Sequence, residues 1–88
     1  MTNVTLRRAG AWLEQRGWHY LDYETAADGA GVVYFEAIDA RPTHDVLANE
    51  ACMLAHDLER ALPAIRAWHE EREDDVWIVF RIEPQETP

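Results

Sequence analysis

The chain has 88 residues, a formal net charge of −9 and a hydrophobic fraction of 48%, so it can form one compact core but has little room for a deep active-site cleft. Its longest apolar runs are far too short to span a bilayer, and its first residues lack the apolar core of a signal peptide. Its one cysteine, Cys52, cannot form an internal disulfide, and we predict a single compact cytoplasmic domain over residues 1–88.

The first half of the chain predicts one helix followed by two strands. Apolar residues fall at helical spacing over Thr5–Arg16, and Gly17 provides a natural C-terminal cap. The segment Trp18–Glu24 alternates in the manner of a strand. Residues 26–31 are rich in turn formers, and Val32–Asp39 is β-branched and aromatic. We therefore expect the two strands to pair as an antiparallel hairpin.

A long second helix is predicted after Pro42, where Thr43 can cap it and Asp45 lies in its first turn. Its apolar positions recur at alternating steps of four and three: Leu47, Ala51, Leu54, Leu58, Ala61, Ile65 and Trp68. Pro63 lacks a backbone donor, so we expect a kink near residues 59–62 or a division into two segments. Such a stripe packs on the chain's own sheet or, alternatively, forms a coiled-coil dimer.

The alternating segment Val76–Glu83 predicts a third strand, and residues 84–88 form a short polar tail that frays. The predicted order is therefore helix, strand, strand, helix, strand. This order describes one α+β domain, in which a three-stranded antiparallel sheet is covered on one face by helices.

Cys52 and His56 are the best candidates for a catalytic or metal-binding pair, since they lie four residues apart on one helical face. A zinc site needs three or four ligands, and the next candidate, His44, lies well round the helix. A cysteine beside Met53 and Leu54 is more often a small buried hydrophobe. The chain also lacks a glycine-rich phosphate loop, a nucleophile elbow and any lysine. We predict a protein that is not an enzyme and has no metal or cofactor.

Charge is distributed unevenly along the chain. Residues 1–21 hold three Arg against one Glu, a charge of +2, whereas residues 22–88 hold five Arg against sixteen acids, a charge of −11. Such a field keeps a small domain soluble, repels nucleic acid and anionic membranes, and attracts basic surfaces. We therefore expect a protein or ribonucleoprotein partner with a basic surface, and no direct contact with nucleic acid or membrane.

The sheet face opposite the helices is one candidate binding surface. It is predicted to collect aromatic residues among acids: Tyr20, Asp22, Glu24, Tyr34, Glu36, Trp77, Arg81 and Glu83. Trp, Tyr and Arg dominate binding hot spots. Aromatic residues also support strand pairing, however, and acids keep an open sheet face hydrated.

An acidic run at the predicted end of the second helix is the other candidate. It consists of Glu70, Glu71, Glu73, Asp74 and Asp75. Carboxylates at a helix C-terminus oppose the helix dipole by about 0.3 to 1 kcal/mol each, so we expect the run to serve solubility or contact with a basic partner. Together with Glu50, Asp57 and Glu59, it would imitate the closely spaced charges of a nucleic-acid backbone.

In size, charge and mixed helix-and-sheet build, the chain resembles the small acidic phage anti-CRISPR proteins that bind the RNA-guided surveillance complexes of type I systems. The opening MTNVTLRRAGAWLEQRGWHY resembles an inhibitor of a type I-C complex. That group shares no sequence motif, so no functional residue is transferred to this chain. The resemblance implies that the acidic surface occupies an Arg- and Lys-lined channel that otherwise receives target DNA, in a host bacterial cell.

Two functions therefore stand as expectations. The first is a monomeric, non-catalytic inhibitor that binds a basic nucleic-acid-handling complex and blocks its binding of target DNA. The alternative is an antitoxin-like or adaptor module that dimerises through its long helix or open sheet and neutralises a basic partner.

Overall fold

The computed structural model describes residues 4–83, which form two helices and a four-stranded antiparallel sheet. The elements are α1 (Val4–Glu14), β1 (Trp18–Thr25), β2 (Gly31–Ala37), α2 (His44–Ala61), β3 (Ile65–Arg72) and β4 (Asp75–Ile82). The strand order is β1-β2-β4-β3. This arrangement confirms the α+β class and the hairpin of the first two strands. The predicted tail, residues 84–88, lies outside the described residues, and neither helix is long and apolar enough to cross a membrane.

The predicted helix caps are present. Gly17 follows α1 with a φ of +86°, a left-handed conformation that costs glycine little. At the start of α2, the Val46 N–H donates a 3.1 Å hydrogen bond to Thr43 Oγ1. Asp45 lies in the first turn, at the positive end of the helix dipole. Local sequence therefore sets where both helices meet their loops.

The second helix ends at Ala61, and the prediction of a kinked helix continuing to Trp68 was wrong. Pro63 disfavours the helical region for the residue before it, and Leu62 accordingly has φ −130° and ψ 82°. The Leu62 N–H still donates to the Leu58 carbonyl at 2.8 Å, which closes the last turn. The proline thus stops the helix, and the C-terminal part of the predicted stripe forms β3.

The prediction of three strands was wrong for the same reason. β3 pairs with β4 from Ile65 opposite Ile82 to Arg72 opposite Asp75. Residues 73–74 join the two strands in a tight turn. The acidic run therefore surrounds the tip of a hairpin rather than a helix C-terminus, and the predicted opposition to a helix dipole does not arise.

The core lies between the helices and one face of the sheet. On α2 the buried residues are Ala48, Ala51, Ala55 and Leu58, and on β4 they include Val76, Ile78, Phe80 and Ile82. A β-carbon on Gly10 of α1 would lie 3.4 Å from Phe35 Cζ, so this side of α1 packs directly on the sheet. Of the predicted stripe on α2, Ala51 and Leu58 are buried, Leu47 and Leu54 pack partly against the core, and Ala61 is exposed. Most of the stripe therefore packs on the chain's own sheet, the first of the two predicted arrangements.

β1 changes face part-way along its length. A bulge between Tyr20 and Asp22 shifts the register with β2, so the alternation fails at Leu21. Tyr20 lies opposite Phe35 and meets its ring edge-on at a centroid distance of 6.1 Å, on the helix side of the sheet. The predicted placement of Tyr20 on the open face was therefore wrong, whereas Asp22 and Glu24 do lie on that face.

Each edge strand has one amide occupied by a carboxylate. On β3 the Ala67 N–H donates a 2.8 Å hydrogen bond to Glu59 Oε2 of α2. On β1 the Tyr23 N–H donates a 2.8 Å hydrogen bond to the neighbouring Asp22 Oδ1. Neither amide is available to pair with an incoming strand.

Glu50 ties the start of β1 to α2 and to the loop that precedes α2. The indole N–H of the fully buried Trp18 donates to Glu50 Oε2 at 2.8 Å. The Arg41 guanidinium donates to both carboxylate oxygens, at 2.9 and 2.8 Å. The Arg41 hydrogen bonds outweigh burial and, with the Trp18 bond, hold the pKa of Glu50 below its ordinary value.

Replacing Glu50 with Ala is expected to lower the free energy of unfolding by about 2 kcal/mol, because the buried Trp18 N–H loses its acceptor. Urea denaturation at pH 7 measures this change. Asp57→Ala is the matched control, since Asp57 is exposed on the same helix, and it should change stability by less than about 0.5 kcal/mol. Equal losses of unfolding free energy in the two variants would show that Glu50 does not stabilise the fold as the acceptor for Trp18.

The stabilisation by Glu50 also has a definite pH dependence. Because folding lowers the pKa of Glu50, its contribution is fully present above the unfolded pKa of about 4.3 and is lost as the pH falls through the folded pKa. Stability curves of wild type and Glu50→Ala should therefore converge in acid, and curves that stay parallel down to pH 2 would contradict this account.

Candidate partner-binding surface

The open face of the sheet, opposite the helices, carries rows of paired side chains. The first row runs Trp68, Val79, Tyr34 and Asp22; the second runs Glu70, Trp77, Glu36 and His19; the third runs Arg66, Arg81, Val32 and Glu24. Val79 is fully buried on this open face, where Trp68 and Tyr34 flank it. The aromatic side chains therefore form a supported layer with an apolar centre.

Two rings of this layer form the wall of a shallow cleft. Tyr34 and Trp77 meet edge to face, with centroids 6.0 Å apart and planes at 87°. The cleft has a volume of about 350 Å³ and is lined by Leu21, Asp22, Glu24, Tyr34, Arg72 and Trp77. We call it the aromatic cleft.

A hydrogen bond orients the tyrosine of the aromatic cleft. The Tyr34 hydroxyl donates to Glu24 Oε2 at 3.1 Å. Burial first, and then this bond to a carboxylate, raise the pKa of Tyr34. The phenol therefore stays protonated at neutral pH and keeps donating to Glu24.

Carboxylates concentrate at the end of the sheet where β3 turns into β4. We call this set the acidic end: Glu36, Asp39, Glu70, Glu71, Glu73, Asp74 and Asp75. The strand register places Glu36 and Glu70 on either side of Trp77. Asp39, Asp74 and Asp75 line one depression beside the first turn of α2. The acidic end therefore adjoins the aromatic layer.

Some carboxylates of the acidic end are engaged within the fold. Glu71 Oε1 lies 3.1 Å from His44 Nε2, and its Oε2 lies 3.2 Å from His69 Nε2. These contacts, with that to His44 the larger, lower the pKa of Glu71. Glu70 Oε2 accepts a 3.0 Å hydrogen bond from the Trp68 indole. Both groups are already hydrogen-bonded before any partner arrives.

The tip of the hairpin differs from its base. Glu73, Asp74 and Asp75 are exposed, and their carboxylates have no hydrogen bond or ion pair with another side chain in the part of the chain that the structure describes. Glu73 also has a φ of +50°, which is rare for a residue with a β-carbon. The tip therefore presents three consecutive exposed carboxylates.

The structure does not bring the predicted helical acids into one row with this tip. Glu50 and Glu59 are bound to Arg41 and to the Ala67 N–H, as described above, and Asp57 is exposed on α2. Arg81 lies toward the opposite end of the sheet. It pairs there with Asp28 and, at 3.0 Å, with Glu83, and these contacts raise its pKa.

The residues of the open face that sequence reasoning missed include Trp68, Arg72 and His19. The first two were assigned to a helix or its end, although the segment IRAWHEER after Pro63 alternates as a strand does. His19 lies 2.9 Å from Glu36 across the β1–β2 pair. Its position was obscured because the bulge reverses the alternation of β1 after Tyr20.

A groove between α2 and β3 contains the predicted cysteine and histidine. Its lining includes Cys52, Met53, His56, Trp68 and His69. Cys52 is exposed, so the prediction of a buried hydrophobe was wrong. Within residues 4–83, no group of three His, Cys, Asp or Glu side chains is placed to hold a metal ion.

Comparisons of the chain with protein-family models, with curated proteins and with solved structures give no match.

The open face of the sheet and the acidic end carry the kinds of group that attract cations. Ring faces carry negative quadrupole charge, and carboxylates beside them add full charges. The open face and the acidic end together can therefore accept a basic partner.

Replacing His44 with Ala is expected to raise the pKa of Glu71 toward its ordinary value, and by more than His69→Ala does. A ¹³C NMR titration of the Glu71 carboxyl group measures both shifts. His19→Ala, which removes a histidine from the other face, is the control and should leave the pKa of Glu71 unchanged. An unchanged pKa of Glu71 in His44→Ala would show that α2 does not hold this carboxylate.

Proposed function

We propose that the protein is a non-catalytic inhibitor that binds a basic nucleic-acid-handling complex, a type I CRISPR surveillance complex, and blocks its binding of target DNA. The observation that carries the proposal is the hairpin tip, where Glu73, Asp74 and Asp75 are exposed and make no hydrogen bond or ion pair with a side chain of residues 4–83. Around them lie four more carboxylates of the acidic end.

The spacing of these charges supports mimicry of a nucleic acid. Consecutive Cα atoms lie about 3.8 Å apart, so the hairpin tip holds three carboxylate-bearing residues within about 8 Å of backbone. One strand of B-DNA carries a charge about every 3.4 Å. An Arg- and Lys-lined channel that recognises such spacing through charge can therefore accept the tip without recognising bases.

The aromatic layer beside the acidic end supports protein contact rather than charge alone. Trp77 and Tyr34 meet edge to face on this surface, and Trp68 is exposed over 38% of its surface. Trp and Tyr are enriched among the residues that contribute most to protein interfaces. The acids would steer association, while the aromatic rings would slow dissociation.

The predicted alternative, a module that dimerises through its long helix, has less support. The buried residues of α2, Ala48, Ala51, Ala55 and Leu58, already pack in the core of the same chain. Dimerisation through the open sheet remains a route for an adaptor. The first experiment below separates this adaptor from the inhibitor.

The first experiment is a pull-down of the tagged protein against purified type I surveillance complexes, followed by target-DNA binding with and without it. We expect capture of a complex and loss of its DNA binding. No capture by any type I complex would overturn the proposal, and a strict dimer by sedimentation would then favour the adaptor. Cys52→Ala and His56→Ala should inhibit as wild type does, because the proposed function is not catalytic.

The double variant Asp74→Arg/Asp75→Arg is expected to bind the complex at least tenfold more weakly, a loss of about 1.4 kcal/mol, because it reverses two charges of the tip. Exposed charges contribute little to stability, so the fold should persist. The matched control is Glu14→Arg/Asp57→Arg, which changes net charge equally at exposed helical positions. Biolayer interferometry at two salt concentrations measures both affinities. Equal weakening of the two variants would show that net charge, and not the tip, governs binding.

A further inference from the structure

The aromatic cleft already contains a cation from the chain itself. Arg72 lines the cleft, and its Cζ lies 5.3 Å from the centroid of the Trp77 ring. A guanidinium within about 6 Å of a ring centroid is attracted by the negative face of the ring. The position of Arg72 therefore shows that the cleft accommodates a guanidinium group beside the Trp77 ring.

Arg72 is held loosely in this position. Its side chain is 70% exposed, and its nearest carboxylate, Glu70, lies 4.0 Å away. The chain offers a comparison in Arg16, whose Cζ lies 3.7 Å from the Trp12 ring centroid and whose Nη1 donates a 2.8 Å hydrogen bond to the Trp12 carbonyl. The contact of Arg72 lacks both the close approach and the hydrogen bond.

The cleft offers carboxylate oxygens that Arg72 does not use. Asp22 engages Oδ1 with a backbone amide, and Glu24 engages Oε2 with the Tyr34 hydroxyl. Asp22 Oδ2 and Glu24 Oε1 have no hydrogen bond to residues 4–83. The two side chains are two residues apart on one strand face, beside the Trp77 and Tyr34 rings. A planar guanidinium can stack on a ring while its N–H groups reach carboxylates, which a lysine ammonium cannot do as well.

We propose that the aromatic cleft binds an arginine side chain of the partner protein, and that Arg72 occupies the cleft in the free protein and is displaced on binding. This proposal rests on the proposed function for the choice of a basic protein as the partner. It adds the residue type that is recognised and a competitor within the chain. Removing the competitor should therefore strengthen binding, whereas removing the ring should weaken it.

The test uses the blocked peptide acetyl-Gly-Arg-Gly-Arg-Gly-amide and its citrulline counterpart, which keeps the shape and loses the charge. Titrations followed by ¹⁵N–¹H NMR at the Trp77 indole should show binding of the arginine peptide and at least tenfold weaker binding of the citrulline peptide. Arg72→Ala should bind the arginine peptide at least threefold more tightly than wild type. Arg66→Ala, which removes the same charge from the same strand outside the cleft, should change affinity by less than twofold.

Two further variants locate the site. Trp77→Ala should bind the arginine peptide at least tenfold more weakly. Its binding is measured from the ¹⁵N–¹H signals of the Tyr34 and Leu21 amides. Glu24→Gln keeps an acceptor for the Tyr34 hydroxyl and loses the charge, so it should bind at least threefold more weakly even if Trp77→Ala does not fold. Equal gains in Arg72→Ala and Arg66→Ala, or equal binding of the citrulline peptide, would overturn the proposal.

The outcomes also separate this proposal from the proposed function. If the complex is captured and the tip variant loses capture, but the arginine peptide does not bind the cleft, the proposal for the cleft fails and the inhibitor stands. If the arginine peptide binds as expected and no surveillance complex is captured, the cleft stands and the inhibitor fails.

Discussion

The arrangement of the second half of the molecule depends on one backbone constraint, the proline at position 63. Because Pro63 disfavours helical geometry at Leu62, α2 ends and its apolar stripe is divided between a helix and a strand. The chain then returns along the sheet as β3 and turns back as β4. That hairpin brings Trp68 and Arg72 to the face that carries Trp77. Without the stop, the acids at 70–75 would follow a helix and would not border an aromatic sheet face.

The carboxylates of the protein divide into two groups according to what they contact. Glu50, Glu59 and Glu71 accept hydrogen bonds that join α2 to β1, to β3 and to the hairpin. They act as internal acceptors and are hydrogen-bonded to Arg41, to a backbone amide and to histidines. The acids at the hairpin tip have no such partners within residues 4–83. A large negative charge can therefore coexist with a compact fold, because the acids that hold the fold and the acids that face solvent are different residues.

Periodicity and cap chemistry predicted most of the local structure, namely α1, the first hairpin, the start of α2 and the last strand. The errors arose where two patterns fit the same residues. Ile65 and Trp68 continue a helical stripe at steps of four and three, yet both lie in β3. Only the constraint of Pro63 on its neighbour decides between helix and strand. The bulge at Leu21 gives no periodic signal, so Tyr20 was placed on the wrong face. Aromatic residues and acids of the candidate surface were visible in the sequence, whereas the contact of Arg72 with Trp77 depends on strand pairing that spacing does not show.

The carboxylates that occupy amides on the two outer strands have a consequence for the protein at high concentration. A sheet grows into a polymer when a strand from another copy uses the hydrogen-bonding groups along a free edge. Glu59 and Asp22 each remove one donor from such an edge, and each places a negative charge where an equally acidic copy would have to dock. The same residue type that would attract a basic partner thus opposes self-association, so a high concentration of the chain need not lead to fibrils.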